Sequence, residues 1–238
     1  MANTSKTKRA RLGPAPGAMR AILGDPRDCN SLLQPLHATR GMIFPYTPDV
    51  TFGGNANYSG WHFTHSNYQQ YQYQNSAPSE IQLVGTFTAQ TNEEARYMLA
   101  VFTFLRASTM IEFGNEAVKR DVAGTPPPVL RFNYLGAHMF NNVPVVLQNY
   151  SYLLERDVDY VEITSPGARN NLRDTGAVRK VLGAIGGDLP ILEDVRTYMP
   201  TSVVVTLMLG VQPNPRKTRE EFDLDAFKRG DLINKGFI

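Results

Sequence analysis

Only one segment of this 238-residue chain shows a clear helical period in its hydrophobic residues. It begins at Thr91, which Glu94 follows three residues later; in this capping-box pattern each side chain bonds the backbone N–H of the other residue. We therefore predict a helix from Thr91 to about Met110 that packs one apolar side against a core. The residues of that side are Ala95, Met98, Leu99, Phe102 and Leu105.

The remaining apolar runs have the alternation or the β-branched composition of strands. The run at 202–211 is the most hydrophobic, and we expect it to be central in a sheet. We expect Asn141 and Asn142 to form the turn between strands at 129–135 and 143–153. Two further predicted strands are 81–90 and 160–164.

Strands and helices do not alternate regularly along the chain, which disfavours a doubly wound parallel sheet. The pattern favours an α+β, mainly β fold: an antiparallel β-sandwich or barrel with one flanking amphipathic helix. We divide the chain into a basic arm with an irregular extension (1–40), a β domain (41–212) with a long loop (165–200), and a C-terminal tail (213–238). Residues 1–20 contain five basic and no acidic residues. They predict a flexible arm that either contacts nucleic acid or an acidic neighbour, or remains solvated.

Charged residues are scarce, at 19% of the chain, and uncharged polar residues, including 16 Asn and 9 Gln, take their place. The formal net charge of +2 disfavours a general nucleic-acid binder and permits self-association.

Cys29 is the single cysteine, which excludes an intrachain disulfide and a cysteine-based zinc cluster. No apolar run approaches the ~20 residues of a spanning helix, and no signal-peptide pattern is present. We therefore expect no membrane partner, and a site of action in the cytoplasm or in a particle assembled there.

A polar and aromatic strand pattern precedes the first apolar strand. Tyr71 and Tyr73 alternate with Gln70 and Gln72, and Tyr68 lies just before them. This spacing predicts one aromatic face and one amide face, neither of them aliphatic. Such a strand suits an interface better than a core, because tyrosine combines apolar area with a hydrogen-bonding group. A sticky low-complexity segment is the alternative interpretation.

No group of residues in the sequence predicts a reaction. His62 and His65 are three residues apart, but the segment resembles a strand, where that spacing puts them on opposite faces. The glycine-rich stretch at 183–188 lacks the lysine of a phosphate-binding loop. We expect no metal, no cofactor, no small-molecule substrate and no enzymatic activity.

Several stretches, taken in order, resemble the baseplate tail-tube initiator proteins of contractile-tailed bacteriophages. The resemblance covers roughly residue 41 to the C-terminus and implies a tail-tube-like fold in which six copies close into a ring. The stretches are FTAQTNEEARYMLAVFTFLRASTM (87–110), GTPPPVL (124–130), HMFNNVPVV (138–146), VDYV (158–161), MPTS (199–202) and FDLDAFKRGDL (222–232).

The resemblance also implies partners and a location. The homo-hexamer would sit in the virion, on the hub proteins of the tail baseplate. It would initiate or adapt to polymerisation of the tail-tube protein, and the sheath is a further candidate neighbour. A tape-measure protein or DNA would pass through its central channel.

We predict three contact surfaces on this basis. The tyrosines form a β-hairpin arm on an adjacent subunit, a basic loop reaches a neighbouring ring or the sheath, and the tail is anchored on a neighbour. For each, a solvated loop or a self-packed tail is the alternative. The residues are Tyr68, Gln70, Tyr71, Gln72 and Tyr73 for the arm, Arg169, Arg173, Arg179 and Lys180 for the loop, and Phe227 and Leu232 for the tail.

Two other functions stay open. A single-stranded nucleic-acid-binding protein would use the basic arm for charge and the tyrosines for stacking, although glutamines and not cations separate those tyrosines. An enzyme of another class would need a convergent cluster of titratable groups, and the sequence names none.

Overall fold

The computed structural model describes residues 8–15, 17–27, 31–113, 124–164, 196–232 and 235–238. The described chain is mainly β, with antiparallel sheets and few helices, which confirms the predicted class at that level. The helices are α1 (Met19–Leu23), α2 (Pro35–Thr39), α3 (Asn92–Ala107), α4 (Pro215–Glu221) and α5 (Leu224–Arg229). The strands are β1 (Arg11–Pro14), β2 (Met42–Ile43), β3 (Asp49–Thr51), β4 (Gly54–Trp61), β5 (Gln70–Pro78), β6 (Ile81–Thr88), β7 (Leu130–Tyr134), β8 (Phe140–Leu154), β9 (Tyr160–Thr164), β10 (Arg196–Pro200) and β11 (Ser202–Val211).

Seven strands form one antiparallel sheet in the order β2-β1-β7-β8-β11-β6-β3. β11 pairs with β8 on one side and with β6 on the other, so the most hydrophobic strand has an interior position as predicted. Alternate residues of these strands are buried, because successive side chains of a strand point to opposite faces. The buried set includes Ile81, Leu83, Phe87, Val203, Val205, Leu207 and Leu209.

The helix α3 packs its apolar side into this core, and it begins where the sequence predicts. The Thr91 hydroxyl accepts the Glu94 N–H at 3.3 Å, and the Glu94 carboxylate accepts the N–H groups of Gln90 and Thr91 at 2.9 and 3.2 Å. These bonds to the ionised carboxylate lower the pKa of Glu94. The helix ends at Ala107, three residues before the predicted end.

An aromatic pair joins α3 to the sheet. The Phe102 ring stacks on the Tyr152 ring of β8 with centroids 4.2 Å apart. The Tyr152 hydroxyl donates a hydrogen bond to the Phe102 carbonyl at 3.2 Å, and burial raises the pKa of Tyr152 to about 12. This contact fixes the helix over β8.

The prediction of a flexible arm over 1–20 is wrong where β1 forms, at Arg11–Pro14, while residues 1–7 and 16 lie outside the described residues. β1 pairs with both β2 and β7, and Ala10 and Leu12 are fully buried. A strand needs only every second side chain to be apolar, so basic residues such as Arg11 do not prevent it from joining a sheet. The predicted boundary at residue 40 therefore falls between strands of the same sheet.

The predicted turn at Asn141 and Asn142 is wrong. β7 and β8 do pair, but the chain reverses over 135–139, where Leu135 and Gly136 have φ of 57° and 91°. Both asparagines belong to β8, at a register shift that adds one residue to that strand. Asn142 has a φ of 55°, which asparagine tolerates, so the pair forms a β-bulge and not the turn.

Two glycines let β1 lie against the chain that follows α2. Gly41 has a φ of 123°, and a Cβ atom on it would lie 2.5 Å from the Gly13 Cα atom. A Cβ atom on Gly13 would lie 2.4 Å from the Arg40 carbonyl oxygen. The contact therefore excludes larger side chains at both positions.

We expect Gly41→Ala to lower the free energy of unfolding by at least about 2 kcal/mol, because the side chain meets both strain in φ and backbone atoms. Urea denaturation measures the change. Gly17→Ala is the matched control, since nothing lies within 4 Å of its Cβ position. Equal stabilities of the two variants would contradict the close contact.

We expect Glu94→Gln to destabilise the chain at pH 7 and to have no effect at low pH. Folding lowers the pKa of Glu94 below its ordinary value of 4.5. The carboxylate therefore contributes stability above pH 4.5, and that contribution is lost as the pH falls through the folded-state pKa. Urea denaturation at a series of pH values measures the difference. The control Glu93→Gln removes a charge from the same turn without touching the capping box, and an identical pH profile for it would contradict the role of Glu94.

Candidate subunit-interaction surfaces

β4 and β5 form a separate two-stranded antiparallel sheet, which we call the arm (residues 54–78). Its register runs from the pair Gly54 and Pro78 to the pair Trp61 and Gln70. Every residue of the two strands except Ser59 is exposed. The arm thus contributes almost nothing to the core of its own chain.

The arm continues a hairpin of the main sheet. It is inserted between β3 and β6, which pair with each other at one end of that sheet. At the junction the Ser79 hydroxyl accepts the Gly53 N–H at 2.7 Å, and the Ser79 N–H donates to the Gly53 carbonyl at 2.8 Å. Beside it, the Phe52 ring meets the Phe140 ring edge-on at 5.6 Å. These contacts hold the root of the arm on the folded domain.

The predicted aromatic face is present on the arm. Tyr73 lies opposite Tyr58 with ring centroids 5.7 Å apart, and Tyr71 lies opposite Gly60. The Tyr71 hydroxyl donates to the Gln69 side chain at 3.4 Å, and that side chain lies over Gly60. A register shift near Gln74 adds one residue to β5, which makes a β-bulge in the middle of the arm.

The other predicted arm residues surround this face. Gln70 and Gln72 lie on the opposite face with Trp61, and Tyr68 lies in the loop at the tip, where it is 82% exposed. Sequence reasoning missed Trp61 and Phe63, both of which are exposed on the arm or its tip. The missed signal was available: residues 50–79 contain no Asp, Glu, Lys or Arg.

The edges of the arm lack the protection that the main sheet has. The main sheet ends in β2 and β3, which are two and three residues long. The arm strands are eight and nine residues long, and neither has a second neighbour within the described chain. Proteins protect such edges with short strands, charges, prolines or bulges, and the arm has only Pro78 at its root and the bulge near Gln74. Its edges and its faces are therefore both available for association.

The C-terminal tail packs on its own chain. Leu232 is only 6% exposed, while Phe227 is 39% exposed. Leu232 thus packs on its own chain, which is the alternative to an anchor on a neighbour. Part of the Phe227 ring remains exposed to solvent. Both line an apolar pocket of about 250 Å³ at the root of the arm, together with Phe52, Met139, Phe140 and Phe237.

The remaining sequence-predicted residues do not form a site in the described structure. Arg169, Arg173, Arg179 and Lys180 lie outside the described residues, as does Cys29, so their predicted roles stay predictions. β4 ends at Trp61, so His62 and His65 follow the strand instead of belonging to it. Within the described ranges, no three His, Cys, Asp or Glu residues are grouped as metal ligands would be.

Comparison of the sequence with protein-family models and with curated proteins gives no match. Among the described helices, none has the length and hydrophobicity that crossing a membrane requires.

We expect Leu232→Ala to lower the free energy of unfolding by about 1–3 kcal/mol, because it removes a buried side chain that holds the tail. The tail should also become sensitive to limited proteolysis. Leu224→Ala, on the same tail but 55% exposed, is the control and should change stability by less than about 0.5 kcal/mol. Equal effects of the two substitutions would show that the tail does not pack as described.

Proposed function

We propose that this chain is a structural protein of a contractile phage tail, a subunit of a six-membered ring on the baseplate hub. The ring initiates, or adapts to, polymerisation of the tail tube. The observation that carries the proposal is the arm: an exposed, uncharged, aromatic hairpin that extends from one end of the main sheet.

A closed ring needs two different complementary surfaces on each subunit. The arm offers one of them, because its strand edges can add to a neighbouring sheet through backbone hydrogen bonds. Its tyrosines add apolar area with hydroxyl groups that find partners in a buried contact. An isolated two-stranded hairpin is marginally stable in water, so covering the arm also orders it.

The central strands support the same proposal. β6, β8 and β11 contain no charged residue, and their faces away from α3 present side chains such as Gln82, Thr86, Thr206 and Met208. In a ring whose sheets join into a barrel, this uncharged face forms the channel wall. A tape-measure protein or DNA passes such a wall without being held by ion pairs. The tail-tube protein, the hub and the sheath are the neighbours of this ring in the virion, and no cofactor is needed.

The structure gives less support to single-stranded nucleic-acid binding. That function combines stacking aromatics with cations that follow the phosphate backbone. The aromatic residues of the arm lie in a stretch without any lysine or arginine, and Arg11 is half-buried in β1. The charge and the aromatic face therefore do not form one groove in the described chain.

We expect removal of the arm to abolish ring formation without unfolding the chain. Gly54 and Pro78 face each other, so a short Gly-Asn loop in place of residues 55–77 reconnects them.

The double substitution Tyr71→Ser/Tyr73→Ser should weaken assembly at least tenfold, ~1.4 kcal/mol or more, because buried aromatic residues dominate interface energies. Sedimentation velocity and electron microscopy measure assembly, and urea denaturation measures stability.

The exposed Tyr46, outside the arm, supplies the control Tyr46→Ser, which should assemble normally. Two results would overturn the proposed function. One is a full-length chain that stays monomeric even with its baseplate neighbours present. The other is a variant without the arm that assembles as well as the full chain. Salt-dependent binding of oligonucleotides by the full chain, without ring formation, would favour the nucleic-acid alternative.

A further inference from the structure

A positively charged depression lies between α1 and α2, and we call it the basic depression. Arg20, Arg27 and Arg40 line it, with His37 and the carboxylate of Asp25, around a volume of about 470 Å³. Asp25 accepts the Arg27 N–H at 3.0 Å and a bond from the Arg20 guanidinium at 2.8 Å, which lower its pKa. Three arginines thus share the described lining with one ionised carboxylate, which pairs with the Arg20 guanidinium.

An exposed, negatively charged surface lies where β8 leads into β9, and we call it the acidic patch. Within residues 155–160 its carboxylates are Glu155, Asp157 and Asp159, and that segment holds one cation, Arg156. Apolar and aromatic side chains are exposed among them, contrary to what a solvated loop requires. They are Leu153, Leu154, Tyr160 and Tyr198.

The two surfaces lie on different flanks of α3. On one flank the Tyr97 hydroxyl accepts the Ile43 N–H at 2.8 Å, next to α2 and the basic depression. On the other flank the Asn92 side chain donates to the Glu162 carbonyl of β9 at 3.3 Å, next to the acidic patch. Asn92 and Tyr97 are five residues apart, which is ~140° around a helix axis. The chain segments next to the two surfaces therefore contact α3 on different sides of its axis.

We propose that the basic depression of one copy of this chain binds the acidic patch of the next copy, head to tail. Arginine suits this contact because its planar group pairs with carboxylates in a bidentate manner and stacks on tyrosine rings such as those of Tyr160 and Tyr198. The contact uses two different surfaces, as a closed ring requires, and it is separate from the arm. It rests on the proposed function and names a second subunit contact of the same ring.

Charge reversal tests the contact. Arg20→Glu/Arg40→Glu and Asp157→Lys/Asp159→Lys should each reduce the ring fraction about tenfold, because like charges then face each other across the interface. A chain that carries all four substitutions should regain ring formation, and so should an equimolar mixture of the two double variants. Lys217→Glu/Arg219→Glu on α4 makes the same change in net charge as the first variant and should assemble normally. Raising the salt concentration from 50 to 500 mM should weaken the wild-type contact.

The outcomes separate this inference from the proposed function. If the wild type forms rings and both double variants do so equally well, only the inference is wrong. It is equally wrong if both double variants fail and neither the fourfold variant nor the mixture assembles better, even though circular dichroism shows all of them folded. Loss of oligonucleotide binding in Arg20→Glu/Arg40→Glu with unchanged assembly would assign the depression to nucleic acid instead. If the wild type forms no ring with its baseplate neighbours present, the proposed function fails and the inference with it.

Discussion

The pairing of β11 with β6 and β8 is the interaction on which the rest of the chain depends. These strands supply the alternating apolar side chains that α3 covers, and they contribute many of the buried aliphatic residues of the core. β1 and β7 extend the same sheet on one side, and β3 on the other. Because β3 and β6 are neighbours at that end, their hairpin determines where the arm leaves the domain. The position of the arm thus follows from the order of strands in the core.

The core and the proposed contact surfaces consist of different types of side chain. Aliphatic and phenylalanine side chains fill the core, whereas tyrosine and uncharged polar side chains dominate the arm. The further contact proposed for this chain uses charge, in the basic depression and the acidic patch. In the proposed ring the arm would favour association through area and backbone pairing, while the charged surfaces would favour one direction of association over the other. Together these two kinds of contact suit a subunit that joins identical neighbours.

The sequence predicts the parts of the structure whose signals are local. The capping box at Thr91 and Glu94 is such a signal, and so is the alternation in β6 and β11, because each depends on residues within one element. β1 is different: four residues among basic neighbours become a strand only because β7 and β2 supply backbone partners. The predicted turn at Asn141 and Asn142 is wrong for a related reason. Asparagine permits positive φ in turns and bulges alike, and only the register of the partner strand decides between them.

The candidate surfaces also differ in whether a local sequence signal predicts them. The tyrosine alternation is local, so it predicts the aromatic face of the arm correctly. The acidic patch combines side chains from β8, β9 and β10, and the basic depression combines two helices. Neither is visible before the fold brings those elements together. Leu232 shows most plainly what the local sequence does not predict. A leucine near a C-terminus has the same sequence signal whether it packs on its own chain or on another.

The bulge near Gln74 has a consequence for how far association proceeds. A flat strand pair without charges or prolines is a template for unlimited stacking, as in amyloid fibrils. A bulge increases the local right-handed twist, so copies of a bulged hairpin do not stack flat on one another. Each added copy is rotated and bent relative to the last, which disfavours an indefinitely growing cross-β stack. One extra residue in β5 thereby favours finite, curved assemblies from a segment whose composition alone resembles that of a fibre-forming peptide.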